Sequence, residues 1–521
     1  MERVPSTSLE PPAAPTAPAA PDARPARPAR VRRGARDRLL TPLPAERPWS
    51  WLGPLLVAAV AGGIRSWRLG TPGELVFDEV YYADQARDLL RHGTEVTDAG
   101  APEFVVHPPL GKWLIGLGEQ VLGYDPVGWR VVVALLGTLS VLVLARAGRR
   151  LLRSTLLGCT AGLLLAVDGL HVVHSRTALL DVILGTFVLC AFACLLVDRD
   201  RVRERLAAAL PLDAARYGPP LGLRPWRLAA GVLLGAACAT KWSGLFFLAA
   251  FGLLTVLWDV GARRAAGVRR PWGGALLRDA APAAASLVLT SAVLYVTSWA
   301  GWFAAGPDRA YGRDWAAGQP GSWLPASVRS WLHLQAQMLQ VNQDLSTPHP
   351  YESNPWGWLV LARPVSFYYE TPEPGTPGCG DADSCSQAVT GLGTPALWWA
   401  AVAALAVLLV LWAGARDWRA GAVLCGVAAG WLPWFAYQDR TIYSFYAVAF
   451  VPFLVLAVVL VLGMVVGPPG APPRRRRWGL ALAGAYVLLV VVDFAWLYPV
   501  LTAEVVPYGS WYDRMWLRSW I

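Results

Sequence analysis

Eleven mostly apolar stretches, separated by short loops that are alternately rich and poor in arginine, leave this chain few folds to adopt. Hydrocarbon offers the backbone no water to bond to, so a crossing segment must be a helix of about 20 apolar residues. The candidates are roughly 51–69, 127–146, 154–172, 177–197, 227–241, 243–259, 280–302, 395–414, 419–437, 442–466 and 478–498. They predict an all-α polytopic membrane protein. Only 16% of residues are charged, against about 25% in an ordinary soluble domain. The net charge of +10 could suggest a nucleic-acid partner. The basic residues instead fall in short loops between apolar runs, which is the membrane pattern and argues against nucleic acid.

The loops also give an orientation. Arg146 to Arg153, Arg199 to Arg205, Arg263 to Arg270, Arg416 with Arg419, and Arg474 to Arg477 mark every second loop. Short basic loops stay in the cytoplasm, so the N-terminus is expected inside. The outer face then takes 70–126, the bends near 173–176 and 240–243, the long loop 303–394, the turn near 438–441 and the C-terminal tail 499–521. Residues 1–48, rich in Pro, Ala and Arg, read as a disordered cytoplasmic tail ahead of a membrane domain over 49–521. Segment 110–122 is too short to span and fits a helix lying in the interface. Spacing from Trp331 to Leu345 predicts another helix on the membrane surface. Cys379 and Cys385 sit in the long outer loop and are a candidate disulfide.

Chemistry-bearing residues gather on the outer face. Asp78 and Glu79 follow the first apolar segment in Phe77-Asp78-Glu79-Val80-Tyr81-Tyr82. The spacing beyond them is helical, so Asp78 is either an N-cap or a general base at the membrane surface. Adjacent acids on a helix diverge by about 100°, which excludes a glycosidase-like pair. His107 and Lys112 lie in His107-Pro108-Pro109-Leu110-Gly111-Lys112. Arg130, near the outer end of the second segment, either snorkels or holds a phosphate. Asp168, His171, His174, Arg176 and Asp181 cluster at the next outer bend. His171 and His174 have a spacing that could suggest a metal, but no acid-rich second motif accompanies them, and no metal is expected. Only two of the 46 basic residues are lysines, Lys112 and Lys241. Lys241 is therefore a candidate ammonium for an anionic headgroup. His349 and Arg440 lie in two further outer turns. This distribution suggests an enzyme with a lipid-phosphate donor. A transporter would carry its charges at mid-bilayer, where Asp493 is the main candidate.

These motifs, with Lys241-Trp242-Ser243-Gly244, His349-Pro350-Tyr351 and Arg440-Thr441-Ile442-Tyr443, resemble the protein O-mannosyltransferase family in the same order along the chain. The resemblance covers about residues 50–521 and implies a GT-C-type membrane fold with about eleven transmembrane helices and extracytoplasmic loop helices. It implies transfer of mannose from polyprenyl monophosphomannose to Ser or Thr of a polypeptide, with inversion, and metal independence. Asp78 then matches the catalytic aspartate and Glu79 its neighbour. Arg130 and Lys241 match the donor-phosphate residues. His107, Lys112, Arg176, Asp181, His349 and Arg440 are candidate cavity residues. Membrane lipids and acceptor polypeptides, including chains at the Sec translocon, are the expected partners. The β-trefoil that eukaryotic members insert in the long outer loop is absent. The rival within this architecture is a transferase acting on a glycolipid or a cell-wall glycan.

Overall fold

The structure is a computed structural model that describes residues 34–468 and 470–521. Every one of the eleven apolar stretches is helical. Seven helices are long and apolar enough to cross a membrane: Pro126–Leu152, Leu180–Ala208, Gly244–Ala265, Pro271–Ser298, Pro395–Ala413, Trp418–Tyr437 and Pro473–Leu501. Thr155–Ala166 and Val451–Val466 are shorter apolar helices. Trp49–Ser66 and Pro225–Thr240 complete the set. Val451–Val466 is buried over most of its length and apolar on all sides, as a helix surrounded by others must be.

The third stretch differs from the expectation of one continuous span over 154–172. It breaks at Val167–Asp168 and restarts as Gly169–His174. A break inside a bundle is tolerated only if the freed backbone groups find partners. Thr394 supplies two of them: its hydroxyl donates to the Val167 carbonyl at 2.8 Å and accepts from Gly169 N at 3.0 Å. Asp168 caps the new helix by accepting from His171 N at 2.9 Å, and also accepts from Trp398 Nε1 at 2.6 Å. His171 bonds Arg65 and Ser140, each at 3.0 Å. His174 lies between the Phe367 and Phe445 rings. His171 thus serves this internal network, while neither ring nitrogen of His174 has a hydrogen-bond partner among the described residues. Asp493, the acid placed deepest in a span, accepts from Ala396 N at 2.8 Å at the start of helix Pro395–Ala413.

Two features depart from a purely helical chain with a free tail. A three-stranded antiparallel sheet forms from β1 (Val365–Glu370), β2 (Cys385–Gly391) and β3 (Val505–Pro507), in that order. The Cys379–Cys385 disulfide closes the β1–β2 connection. The pairing shifts between Ser366 and Tyr368, so Phe367 is the extra residue of a bulge, a device that re-aims a side chain. The second departure is the segment 34–48. The expected disorder over 1–33 lies outside the described residues, but 34–48 packs on the arginine-rich face. Leu39 is buried among Val202, Leu206 and Leu221, and Glu46 pairs with Arg146 and Arg149.

Between the first two long helices, helices Glu79–His92 and Leu110–Leu122 lie side by side. Gly111 lets the second of them press close to the bundle. A Cβ at Gly111 would sit 2.7 Å from Leu180 Cδ2 and 2.8 Å from Thr240 Cγ2. These neighbours are one residue away from Asp181 and Lys241. The close approach therefore brings the His107–Lys112 motif against both.

Candidate active site

A cavity of about 600 Å³ opens where these elements meet. Asp78, Tyr82, Gln85, Glu103, His107, Lys112, Lys241 and Arg440 supply its polar wall, and Phe246, Leu339, Trp434, Tyr443 and Tyr446 much of the rest. Asp78 precedes helix Glu79–His92 but does not cap it: its carboxylate accepts no backbone N–H. Among the described residues, the only hydrogen bond drawn to it is a long one from Tyr82 Oη at 3.5 Å. The N-cap reading therefore fails, and the carboxylate is left for something in the cavity. Phe77 holds it there. Phe77 has φ of +52°, a left-handed conformation that typically costs a non-glycine residue about 1–3 kcal/mol. Its ring stacks on Phe367 at 4.8 Å and meets Phe445 edge-on. Burial pushes Asp78 up to about 6, with Lys241 pulling it down and Asp181 pushing it further up. A carboxylate at that value is both ionised at neutral pH and basic enough to take a proton.

Glu79 and Arg130 correct the expectation from sequence. Glu79 is fully buried and accepts from Val76 N at 2.9 Å, Ala178 N at 2.7 Å and Arg130 at 2.9 and 2.7 Å. Arg130 is 1% exposed, and its other bonds go to the carbonyls of Leu69, Pro72 and Glu74. All five guanidinium N–H groups are spent inside the protein. Neither residue lines the cavity. Arg130 is a clamp on the loop that carries Asp78, and Glu79 is the residue it clamps. A catalytic part for Glu79 and a phosphate contact for Arg130 do not fit this geometry. Arg176 is likewise structural. It donates to the carbonyls of Arg65 and Trp67 at 2.8 and 2.7 Å, closing the end of helix Trp49–Ser66.

Three cations line the cavity: Lys112, which is paired with Glu95, Lys241 and Arg440. Lys241 stands in extended backbone between helices Pro225–Thr240 and Gly244–Ala265. Its Nζ donates to both Asp181 oxygens at 2.9 and 3.0 Å and lies 4.5 Å from the centre of the Tyr446 ring. Arg440 has no carboxylate within ion-pairing distance among the described residues, and its buried Nε has no hydrogen-bond partner there. Its turn is fixed from outside: Thr441 N donates to Leu345 O and Ser353 N to Ile442 O, each at 2.9 Å. His349 stands behind the wall, edge-on to Tyr443 at 5.3 Å. Burial holds His107 well below its usual range, and Lys241, Lys112 and Arg440 add to this. His107 and these three cations all line the one cavity. Sequence reasoning missed Tyr82, Gln85 and Glu103. The first two recur four and seven residues after Asp78, the spacing of one helix face.

A multi-helix membrane body whose loop helices and carboxylate roof a polar cavity is the arrangement of the GT-C fold, to which solved structures of membrane glycosyltransferases match it. The yeast Pmt1–Pmt2 complex bound to its sugar donor superposes with a TM-score of 0.70, 16% identity, and coverage of 92% of this chain and 93% of that one. ArnT of Cupriavidus metallidurans bound to undecaprenyl phosphate gives 0.52 at 18% identity, covering 85% and 70%. Sequence similarity narrows the class. The family described as dolichyl-phosphate-mannose-protein mannosyltransferase matches residues 55–265, and the C-terminal four-span region of protein O-mannosyltransferase matches 327–520. A polyprenol-phosphate-mannose–protein mannosyltransferase of Mycolicibacterium smegmatis is 45% identical over 92% of this chain and 94% of its own length. That of Corynebacterium glutamicum is 35% identical over 94% and 99%. This chain belongs to the protein O-mannosyltransferase family.

Proposed function

We propose that this protein transfers mannose from polyprenyl phosphate mannose to Ser or Thr hydroxyls of polypeptides, in one displacement with inversion. The observation that carries the reading is an uncapped Asp78 sharing a cavity with Lys241 and with an Arg440 that lacks a counter-ion among the described residues. Arg440 and Lys241 hold the donor phosphate; Asp181 fixes the lysine. The acceptor hydroxyl enters opposite the phosphate and gives its proton to Asp78 as its oxygen bonds to C1. The C1–O bond to phosphate breaks, and the phosphate leaves as an anion neutralised by the two cations. Such fixed charges are typically worth several kcal/mol in a transition state. A phosphate leaving group takes no proton, so no general acid is required.

The cavity faces the outside of the cell and the N-terminus the cytoplasm, since the arginine-rich loops mark the opposite face. Acceptors arrive there unfolded, as from a Sec translocon. The rival reading, transfer to a glycolipid or cell-wall glycan, is separated by assay. Membranes containing the full chain, given radiolabelled polyprenyl phosphate mannose and a Thr/Pro-rich peptide, are expected to label the peptide. Label in lipid or glycan alone would overturn the protein-acceptor reading.

A further inference from the structure

The cavity has a second polar end, unlike the phosphate end in chemistry. Asp78, Tyr82 and Gln85 share one helix face, and Gln85 lies about 10 Å along the axis from Asp78. Gln85 is 6% exposed and stands beside the Glu103 carboxylate, whose anion its amide favours. Glu103 is placed by a narrow hairpin: its N–H donates to Glu95 O at 3.1 Å, and Val96 bridges Pro102. Glu95, 1% exposed, takes Lys112 Nζ at 2.6 Å on one oxygen, while its other oxygen is buried with no partner among the described residues. Lys112 lies in the cavity wall and has N–H groups beyond the one given to Glu95. Amide, ammonium and the Glu103 carboxylate at one end, with Glu95 behind Lys112, offer donors and acceptors together. A phosphate would be repelled by the acids, and an apolar chain would leave every group unmatched. Hydroxyl groups donate and accept at once, and suit such a set.

We infer that Gln85 and Glu103, backed by Lys112 and Glu95, form the subsite for the distal hydroxyls of the donor's sugar ring and determine which hexose is transferred. This rests on the proposed transfer reaction. With C1 beside Asp78, a hexose directed along the helix presents its far hydroxyls to this end. The ring is then held at both ends, by its phosphate and by its hydroxyls. A site built to bond a hydroxyl rejects an analogue lacking it, because its buried groups are left unpaired. Burial holds Glu103 and Glu95 above the usual carboxylate range, a cost to the free protein that bonds to the sugar offset.

The test uses the full-length protein in detergent with Glu103→Gln and Gln85→Leu, neither of which touches the phosphate cations. Thermal shift with sugar-free polyprenyl phosphate first confirms that each variant is folded and that the phosphate end is intact. Each is expected to raise KM for polyprenyl phosphate mannose by about tenfold to a hundredfold and leave the peptide KM unchanged. Polyprenyl phosphates carrying deoxymannoses, each lacking one distal hydroxyl, should lose affinity with the wild type and lose little more with the variants. An unchanged donor KM, or a raised peptide KM instead, would overturn the subsite. Should Glu103→Gln fail to bind polyprenyl phosphate, Gln85→Leu carries the same comparison alone. Absence of any mannose transfer by the wild type would contradict the reaction itself. Tighter binding of the mannosyl lipid than of sugar-free lipid would still report the subsite.

Discussion

Replacing Asp78 by Asn is expected to abolish transfer and to stabilise the resting protein. The two side chains have the same shape, so packing is kept. The wild-type carboxyl is held at about 6 against an ordinary 3.8, chiefly by burial. Each unit is worth about 1.4 kcal/mol, so the ionised carboxylate costs the fold about 3 kcal/mol, less whatever cavity water screens. The value is raised in the folded state. The cost is therefore full above pH 6 and disappears as pH falls below about 4. Loss of Asp78 leaves Lys241 paired with Asp181 at 2.9 Å, so no cation is stranded. Thermal unfolding in nanodiscs at several pH values reads the effect. The Asn variant should melt higher than wild type at pH 7.5, and the two curves should converge toward pH 4. An Asn variant that melts lower at pH 7.5, or a difference independent of pH, would refute the account of a desolvated base.

Arg440→Ala is expected to fold normally, because Arg440 has no carboxylate partner to strand among the described residues. Its donor KM should rise about tenfold to a hundredfold, the loss of one charged contact to phosphate; an unchanged KM in steady-state assays would remove Arg440 from the donor site. Arg130→Ala should instead lose about 3–5 kcal/mol of stability, since it leaves Glu79 buried without its cation. Reduced melting temperature and yield, rather than a selective rise in donor KM, distinguish this clamp from a phosphate ligand. The kcat/KM for the donor should fall about tenfold per pH unit below pH 6 as Asp78 of the free protein is protonated. A flat profile down to pH 5 would contradict a base of that value.

The sequence carried the long-range plan of this protein and little of its local wiring. Apolar length and alternating arginine loops are properties of the chain itself, and all eleven segments are helices. Asp78, Lys241 and Arg440 were visible because polar residues at the rim of a membrane span need a reason. The Glu79–Arg130 pair was not, because it joins residues 51 positions apart and only the fold shows that the guanidinium is spent. The break at Val167–Asp168 depends on Thr394, over 220 residues away. Residues 34–48 look disordered in isolation, since Leu39 and Glu46 find their main partners on the distant helices Leu180–Ala208 and Pro126–Leu152. The sheet was missed for a related reason: β1 and β2 are short, and β3 is three residues long, near the end of the chain. Gln85 is the exception that could have been found, by extending the helical face of Asp78 two turns.

The central claim is that Asp78 activates a polypeptide hydroxyl for one displacement at the donor's C1. Nuclear magnetic resonance of the glycopeptide made by the purified protein tests it most directly. The mannosyl-threonine should have the anomeric configuration opposite to that of the polyprenyl phosphate mannose supplied, and Asp78→Asn should yield none. Retention of configuration, or product formed by the Asn variant at the wild-type rate, would contradict it.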